Sequence, residues 1–360
     1  MKHIRRWFWS IFSSLLVIVV GLAWMAWYLP PTHFWWMALL AVALPYLAVG
    51  VALLWVFHLM RRSWTWVGIL GVLLLLVGMR VFYLPVGGTG EPIEEETLAL
   101  MTYNFAPLAH LGTKPAEELH RLKRLYQPDI WGFQESTLIY RPDHLDGTAS
   151  LRSFVQSGAY AVHWPKGIQR HITFTQPVLV GPDVRVWEVE QLVFPTERSE
   201  RYPSKVTRVR FTWQGRSAVL YNVHLRSFGS RKPWWEGKSC WLRPDCWLKY
   251  AAAYRQAYQS RAWEVEWLKA QLAKERLPVI IIGDFNSSPY NWSYRQLAEG
   301  RLDAIKEAGV FPGFTYHRRL PFVRIDFILV DPSFEVVSAQ VPAGQYSDHL
   351  PVIAWLRWRK

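Results

Sequence analysis

The sequence predicts a mixed α/β (α+β) domain preceded by three transmembrane helices, and three observations carry that prediction. No Asp, Glu, Lys or Arg occurs from Trp7 to Met60. From Leu98 onward, short apolar runs alternate with amphipathic segments, the pattern of sheets covered by helices. Six of those runs end in or are interrupted by small polar clusters, where a sheet can hold functional side chains rigidly. The 360 residues are enough for more than one domain, at roughly 100–200 residues each.

Three apolar stretches come first: Ser10–Leu29, Phe34–Met60 and Ser63–Leu84. Each reaches the roughly 20 residues that a helix needs to cross about 30 Å of hydrocarbon. Pro30-Pro31 separates the first two and Arg61-Arg62 the last two. Trp7, Trp9, Trp27, Tyr28, Trp35, Trp36, Trp64, Trp66 and Tyr83 gather near the ends, as an aromatic belt does, and Arg80 can snorkel to the interface. A cleaved signal peptide fits less well, because the first apolar run is long and further ones follow. Lys2, Arg5, Arg6, Arg61 and Arg62 put the N-terminus and the 61–62 loop in the cytoplasm. Three crossings then make the protein multi-pass, with the later domain periplasmic or extracellular. The expected organisation is a membrane anchor over 1–86, a linker over 87–96 and a catalytic domain over 97–360.

Cys240 and Cys246 close a short loop, and outside the cytoplasm a disulfide between them is expected. Of the +13 net charge, six Lys/Arg and four Asp/Glu precede residue 97, leaving 35 and 24 after it. The excess therefore sits on the globular part. That suits an anionic partner such as nucleic acid, phospholipid or a phosphorylated small molecule, and equally suits plain solubility.

In the globular part, Thr97–Tyr103, Ile130–Phe133, Ala218–Val223, Val279–Ile282, Arg324–Val330 and Pro351–Trp358 read as strands. Pro115–Tyr126 and Ala251–Lys274 have helical spacing, the second with Trp263, Trp267 and Leu268 on one face. The polar clusters are Asn104; Gln134 and Glu135; Asn222 and His224; Asp284 and Asn286; Asp326; and Ser347, Asp348 and His349. Carboxylates and carboxamides dominate them, with two histidines, and oxygen donors of this kind suit a hard cation such as Mg²⁺, Mn²⁺ or Ca²⁺. HExxH, CxxC, GxSxG and GxxxxGK[ST] are all absent, which argues against zinc, serine-hydrolase and P-loop chemistry. Water attack on a phosphate ester fits the set. Taken singly the residues admit plainer roles: Asp284 and Asn286 as a turn, His224 as a part-buried histidine, Asp326 as an ion-pair partner of Arg324.

The ordered set TYN, QE, NVHL, GDFN, RIDF and SDHLP resembles the endonuclease/exonuclease/phosphatase superfamily over about Thr97–Arg357. The resemblance implies a four-layer sandwich of two β-sheets flanked by helices. It implies that Glu135 binds the metal with Asn104 beside it and Asp348 near it. Asp284 would orient or deprotonate the attacking water, and Asn286 would contact that water or the phosphate. His349 would contact the scissile phosphate with Asp326 as its carboxylate partner, and Asn222 and His224 would hold phosphate oxygens. One strand departs from the family pattern, since Gly167–Leu179 matches only loosely. Phe228–Tyr250, with four Trp and several basic residues, looks like an insertion that could be a lid or meet lipid head groups. The expected function is a membrane-anchored phosphodiester or phosphomonoester hydrolase. An extracytoplasmic nuclease and a catalytically silent binding or scaffold protein are the alternatives. No protein partner is indicated.

Overall fold

The computed structural model describes residues 2–82, 96–107, 109–141, 144–165, 172–195, 205–228, 240, 243–317 and 322–359. The 87–96 linker up to residue 95, the first part of Gly167–Leu179 and most of Phe228–Tyr250 lie outside the described residues. The helices are α1 (Lys2–Met25), α2 (Pro31–Val42), α3 (Leu44–Met60), α4 (Trp64–Val81), α5 (Ala116–Tyr126), α6 (Ala149–Gln156), α7 (Pro244–Leu272), α8 (Trp292–Ala298) and α9 (Ala304–Glu307). They and the strands form two compact units, one of residues 1–83, 227–263 and 287–296, the other of the remainder.

The first unit is helical. The apolar stretches fold as predicted except for the second, which is two helices, α2 and α3, bent by 57°. Pro45 in the first turn of α3 cannot donate the hydrogen bond that would continue α2 across the junction. Contacts at both ends show that α1 and α4 run parallel. Trp66 Nε1 donates to Ser10 Oγ at 3.3 Å near their starts, and Arg80 Nη1 donates to Trp24 O at 2.7 Å near their ends. His58, at the end of α3, meets Ser13 of α1 at 2.9 Å. The bent pair therefore carries the chain back along the full bundle. Val20, Ala23, Ala41, Val51, Leu70 and Val77 pack inside, while Leu15, Leu53, Val72, Leu75 and Met79 face outward. An apolar exterior of this kind is what hydrocarbon surroundings require.

The later segments of this unit are tied to α2 by polar bonds. Tyr258 Oη and Asn291 Nδ2 donate to Ala38 O at 3.3 and 2.9 Å, and Gln259 Nε2 donates to Thr32 O at 2.7 Å. Cys240 and Cys246 form a disulfide with Cα atoms 5.6 Å apart. The buried stripe of α7 is Tyr258, Arg261, Ala262, Val265 and Leu268, at helical spacing. Trp263 falls between these positions and is 69% exposed, which corrects the expected face.

The second unit is a sandwich. One sheet runs in the order β14 (Phe334–Gln340), β15 (Val352–Trp358), β1 (Leu98–Asn104), β2 (Ile130–Gln134), β7 (Val178–Val180), β5 (Ala161–Val162). The other runs β12 (Leu302–Asp303), β13 (Asp326–Val330), β11 (Val279–Asp284), β10 (Arg216–His224), β9 (Lys205–Trp213), β8 (Arg185–Val193). A small third sheet is β4 (His144–Gly147), β3 (Leu138–Arg141), β6 (Ile172–Phe174). The large sheets share one core in which Leu100, Trp131, Leu220, Ile280, Ile282 and Ala354 are all buried, with helices outside. They pack tightly at Gly132 of β2, where a Cβ would lie 2.4 Å from Ile282 Cδ1. The four-layer arrangement is the one expected from the sequence.

Each large sheet is built on one parallel pair. β1 and β2 are parallel and joined through α5, while β10 and β11 are parallel and joined through α7. Parallel neighbours need such a crossover, and it leaves both C-terminal ends at the same edge. The register then sets Asn104 beside Gln134, His224 beside Asp284, and Asp284 beside Asp326 on antiparallel β13.

Candidate active site

These strand ends meet in one polar centre. Gly283 lets β11 lie against β10 at the site, because its φ of +130° and a virtual Cβ 1.9 Å from Val223 O exclude any side chain. Glu135 and Asn286 also sit at positive φ, 57° and 48°. Backbone held in this sparsely populated region is concentrated at functional sites.

Asp284, Asp326 and His349 are almost fully buried, while Glu135 is exposed and His224 and Asn286 are half-buried. Asn104 Nδ2 donates to Glu135 Oε1 at 3.1 Å and to Asp284 Oδ2 at 3.0 Å. His224 Nε2 lies 3.6 Å from both Glu135 Oε1 and Asp284 Oδ2. His349 Nε2 lies 3.8 Å from Asp284 Oδ2, and its Nδ1 is 2.9 Å from Asp326 Oδ2. The backbone N–H of Asn286 donates to Asp284 Oδ1 at 2.7 Å, and its Nδ2 donates to Leu225 O at 2.9 Å and to Asp284 Oδ2 at 3.1 Å. Asn286 thus fixes the Asp284 carboxylate.

The buried His349–Asp326 pair sets its own charge. Burial alone would lower the imidazole, but the charges of Asp326 and Asp284 and the Asp326 hydrogen bond outweigh it and hold His349 up to about 10. Burial pushes Asp326 up to about 6, with Asp284 adding to the rise and His349 opposing it. Between those limits the pair is an imidazolium and a carboxylate.

Among the described residues, two groupings could hold a cation: Glu135, His224 and Asp284; and Asp284, Asp326 and His349. The first fits a hard cation better, because His349 Nδ1 and Asp326 in the second already satisfy each other. Asn104 Oδ1 and His224 Nε2 are buried with no hydrogen-bond partner among the described residues, so two lone-pair donors are left over beside these carboxylates.

Two expected residues are placed differently, and so is the plainer partner considered for Asp326. Asn222 does not face the centre. Its Oδ1 accepts from Gln134 Nε2 at 2.5 Å and its Nδ2 donates to Phe133 O at 3.0 Å, so its amide bonds one sheet to the other. Asp348 is exposed and belongs to neither grouping. Arg324 pairs with Asp303 rather than Asp326. Sequence reasoning missed Thr315, whose Oγ1 accepts from the N–H groups of Ile325 and Asp326 at 3.0 and 3.1 Å. It also missed Tyr316, whose ring lies edge-on to His349 at 4.9 Å. Neither sits in a motif that spacing could single out. Ser347 of the SDH triplet donates to Asn104 O at 2.7 Å and accepts from His349 N–H at 3.2 Å, binding the His349 loop to the end of β1.

Residues 109–349 match the model of the Endonuclease/Exonuclease/phosphatase family. A family protein from Bacteroides thetaiotaomicron is similar in structure over 73% of this chain and 98% of its own, with 16% identity and a TM-score of 0.53. A mannosyl-6-phosphatase of the same organism is similar over 72% and 100%, with 16% identity and a TM-score of 0.52. D. rerio TDP2 in complex with a single-strand DNA product is similar over 72% and 99%, with 18% identity and a TM-score of 0.50. At such identities these likenesses establish the fold. No curated protein matches the chain.

Proposed function

The chain belongs to the endonuclease/exonuclease/phosphatase family, and on that premise we propose that it is a membrane-anchored, Mg²⁺-dependent hydrolase of phosphodiesters or phosphomonoesters working outside the cytoplasm. The observation that carries this reading is the convergence of Glu135, Asn104, His224, Asp284 and the His349–Asp326 pair. Mg²⁺, or Mn²⁺ in its place, held by Glu135 with Asn104 and Asp284 beside it, would neutralise phosphate charge when bound. Asp284, fixed by Asn286, orients the attacking water and takes its proton. His349, kept cationic by Asp326, donates from Nε2 to a phosphate oxygen where charge develops. His224 offers a second donor at the half-buried rim.

The anchor reading is supported by the outward apolar face of the bundle and by the return of α2–α3 along it, which would make three passes if the bent pair is one span. With the basic N-terminus and 61–62 loop inside, the third pass ends outside, and the Cys240–Cys246 disulfide suits an oxidising compartment. A nuclease reading is favoured by the likeness to a protein holding a DNA product and by the basic charge of the later chain.

The test is the purified full chain in detergent with Mg²⁺, given parallel panels of DNA, RNA, phospholipids and phosphosugars. Asp284→Ala and His349→Ala should each abolish turnover while near-UV circular dichroism stays unchanged. Full activity in both variants would sink the mechanism. Turnover confined to DNA or RNA would select the nuclease.

A further inference from the structure

We propose that the helical unit carries a binding site for the phosphate of an anionic lipid head group, formed by Arg80 and Arg295 around Tyr28. This rests on the reading of the N-terminal helices as a membrane anchor. Arg80 lies in the last turn of α4, and its Cζ is 4.3 Å from the Trp24 ring, 4.4 Å from Trp27 and 5.3 Å from Tyr28. Its Nη2 donates to Tyr28 Oη at 3.2 Å. Arg295 of α8, on the segment that follows the GDFN motif, sets its Cζ 5.0 Å from the same Tyr28 ring. Tyr294 beside it meets Trp27 with ring centroids 6.1 Å apart. Among the described residues neither guanidinium is ion-paired with a carboxylate.

Two cations sharing one aromatic ring repel each other, and an apolar setting screens them poorly. Snorkelling explains Arg80 alone. It does not explain Arg295, which comes from outside the spanning helices. An anion between the two removes the repulsion, and a guanidinium fork matches phosphate oxygens. Both arginines are half-buried and Tyr28 is exposed, so the site is open. The ring of Trp24, Trp27 and Tyr28 belongs at a membrane–water boundary, which selects a lipid head group over a soluble phosphate.

The experiment uses the full chain in nanodiscs of phosphatidylcholine with a minor fraction of phosphatidylglycerol, released for native mass spectrometry. The wild type should retain phosphatidylglycerol over phosphatidylcholine. Arg80→Gln/Arg295→Gln should lose that preference by roughly thirty-fold, from about 1 kcal/mol per basic side chain near a membrane surface. Arg295→Gln alone, which leaves the Arg80 packing in place, should lose about five-fold on the same basis. Hydrolysis of bis-p-nitrophenyl phosphate should be unchanged in both variants. Equal retention of the two lipids, or full preference in Arg295→Gln, would overturn the site. So would displacement of the lipid by excess inorganic phosphate, which would point to a soluble anion. Release of the chain from membranes by alkaline carbonate would overturn the anchor reading and this inference with it.

Discussion

Gly132→Ala tests whether the two sheets really close on each other beside the active centre. The added Cβ would lie 2.4 Å from Ile282 Cδ1 and 3.1 Å from both Cγ and Oδ1 of Asn222. Comfortable carbon contacts are about 3.5–4.0 Å, so the first clash is short by more than about 1 Å. Overpacking of a full core costs about 1–3 kcal/mol. Most of the clash is with a single terminal methyl. Ile282→Val removes that methyl and alone costs about 0.5–1.5 kcal/mol through the space it leaves. In the double variant the new methyl occupies that space. The two costs should therefore not add, and the double variant should be more stable than their sum by about 1–2 kcal/mol. Urea unfolding of the four proteins in matched detergent, followed by tryptophan fluorescence, measures the cycle. The contact with Asn222 persists in the double variant, so its recovery should be incomplete. Strict additivity would mean that the sheets do not meet at this point. It would also remove the account of Asn222 as a link between sheets.

Three other outcomes follow from the centre. Asn222→Ala should lower the unfolding midpoint, at a cost of about 1–3 kcal/mol for the buried partners it orphans, with KM unchanged. A raised KM at wild-type stability would return Asn222 to phosphate contact. Glu135→Gln should raise the Mg²⁺ concentration needed for half-maximal activity by about tenfold or more; an unchanged requirement would move the cation elsewhere. Asp326→Asn removes the carboxylate that holds His349 up to about 10 and leaves the burial that lowers it. With Asp284 as the main raising charge left, the imidazole gives up its proton at lower pH than in the wild type, so turnover at alkaline pH should fall and should recover as pH is lowered. Wild-type turnover should be level from about pH 7 to 9, between the limits set by Asp326 and His349. A variant with the same level profile would show that His349 does not act as a cation.

The elements legible in the sequence were those buried on both faces. β1, β2, β10, β11, β13 and β15 are almost wholly buried, so their apolar runs are continuous and carry a signal. β8 and β9 went unread because one face is charged. Glu188 and Glu190 pair across the strands with Arg210 and Arg208, and Glu275 bridges both arginines at 3.1 and 3.2 Å. Such a hairpin alternates polar and apolar residues without a long apolar run. Trp263 misled for the converse reason: size and hydropathy mark a residue as core, but the angle around the helix decides, and this one points out.

By itself the sequence determined which residue types the candidate site draws on. Local chemistry decides that GDFN ends a buried strand and SDH precedes one, that the donors are oxygen-rich, and that 54 residues from Trp7 lack a charge. Tertiary structure decided which of those residues face one another. Asn222 and His224 are two apart on one strand, so a sequence offers them equally. Asn222 is drawn between the sheets by Gln134, while His224 turns to Glu135 and Asp284. Thr315 reaches Asp326, and Tyr316 reaches His349 through an isolated bridge, only once the strands are assembled. The joining of 227–263 and 287–296 to the N-terminal helices depends on hydrogen bonds to Thr32 and Ala38 that no local pattern announces. Hydropathy acts on neighbours along the chain, and these contacts act between residues up to 253 positions apart.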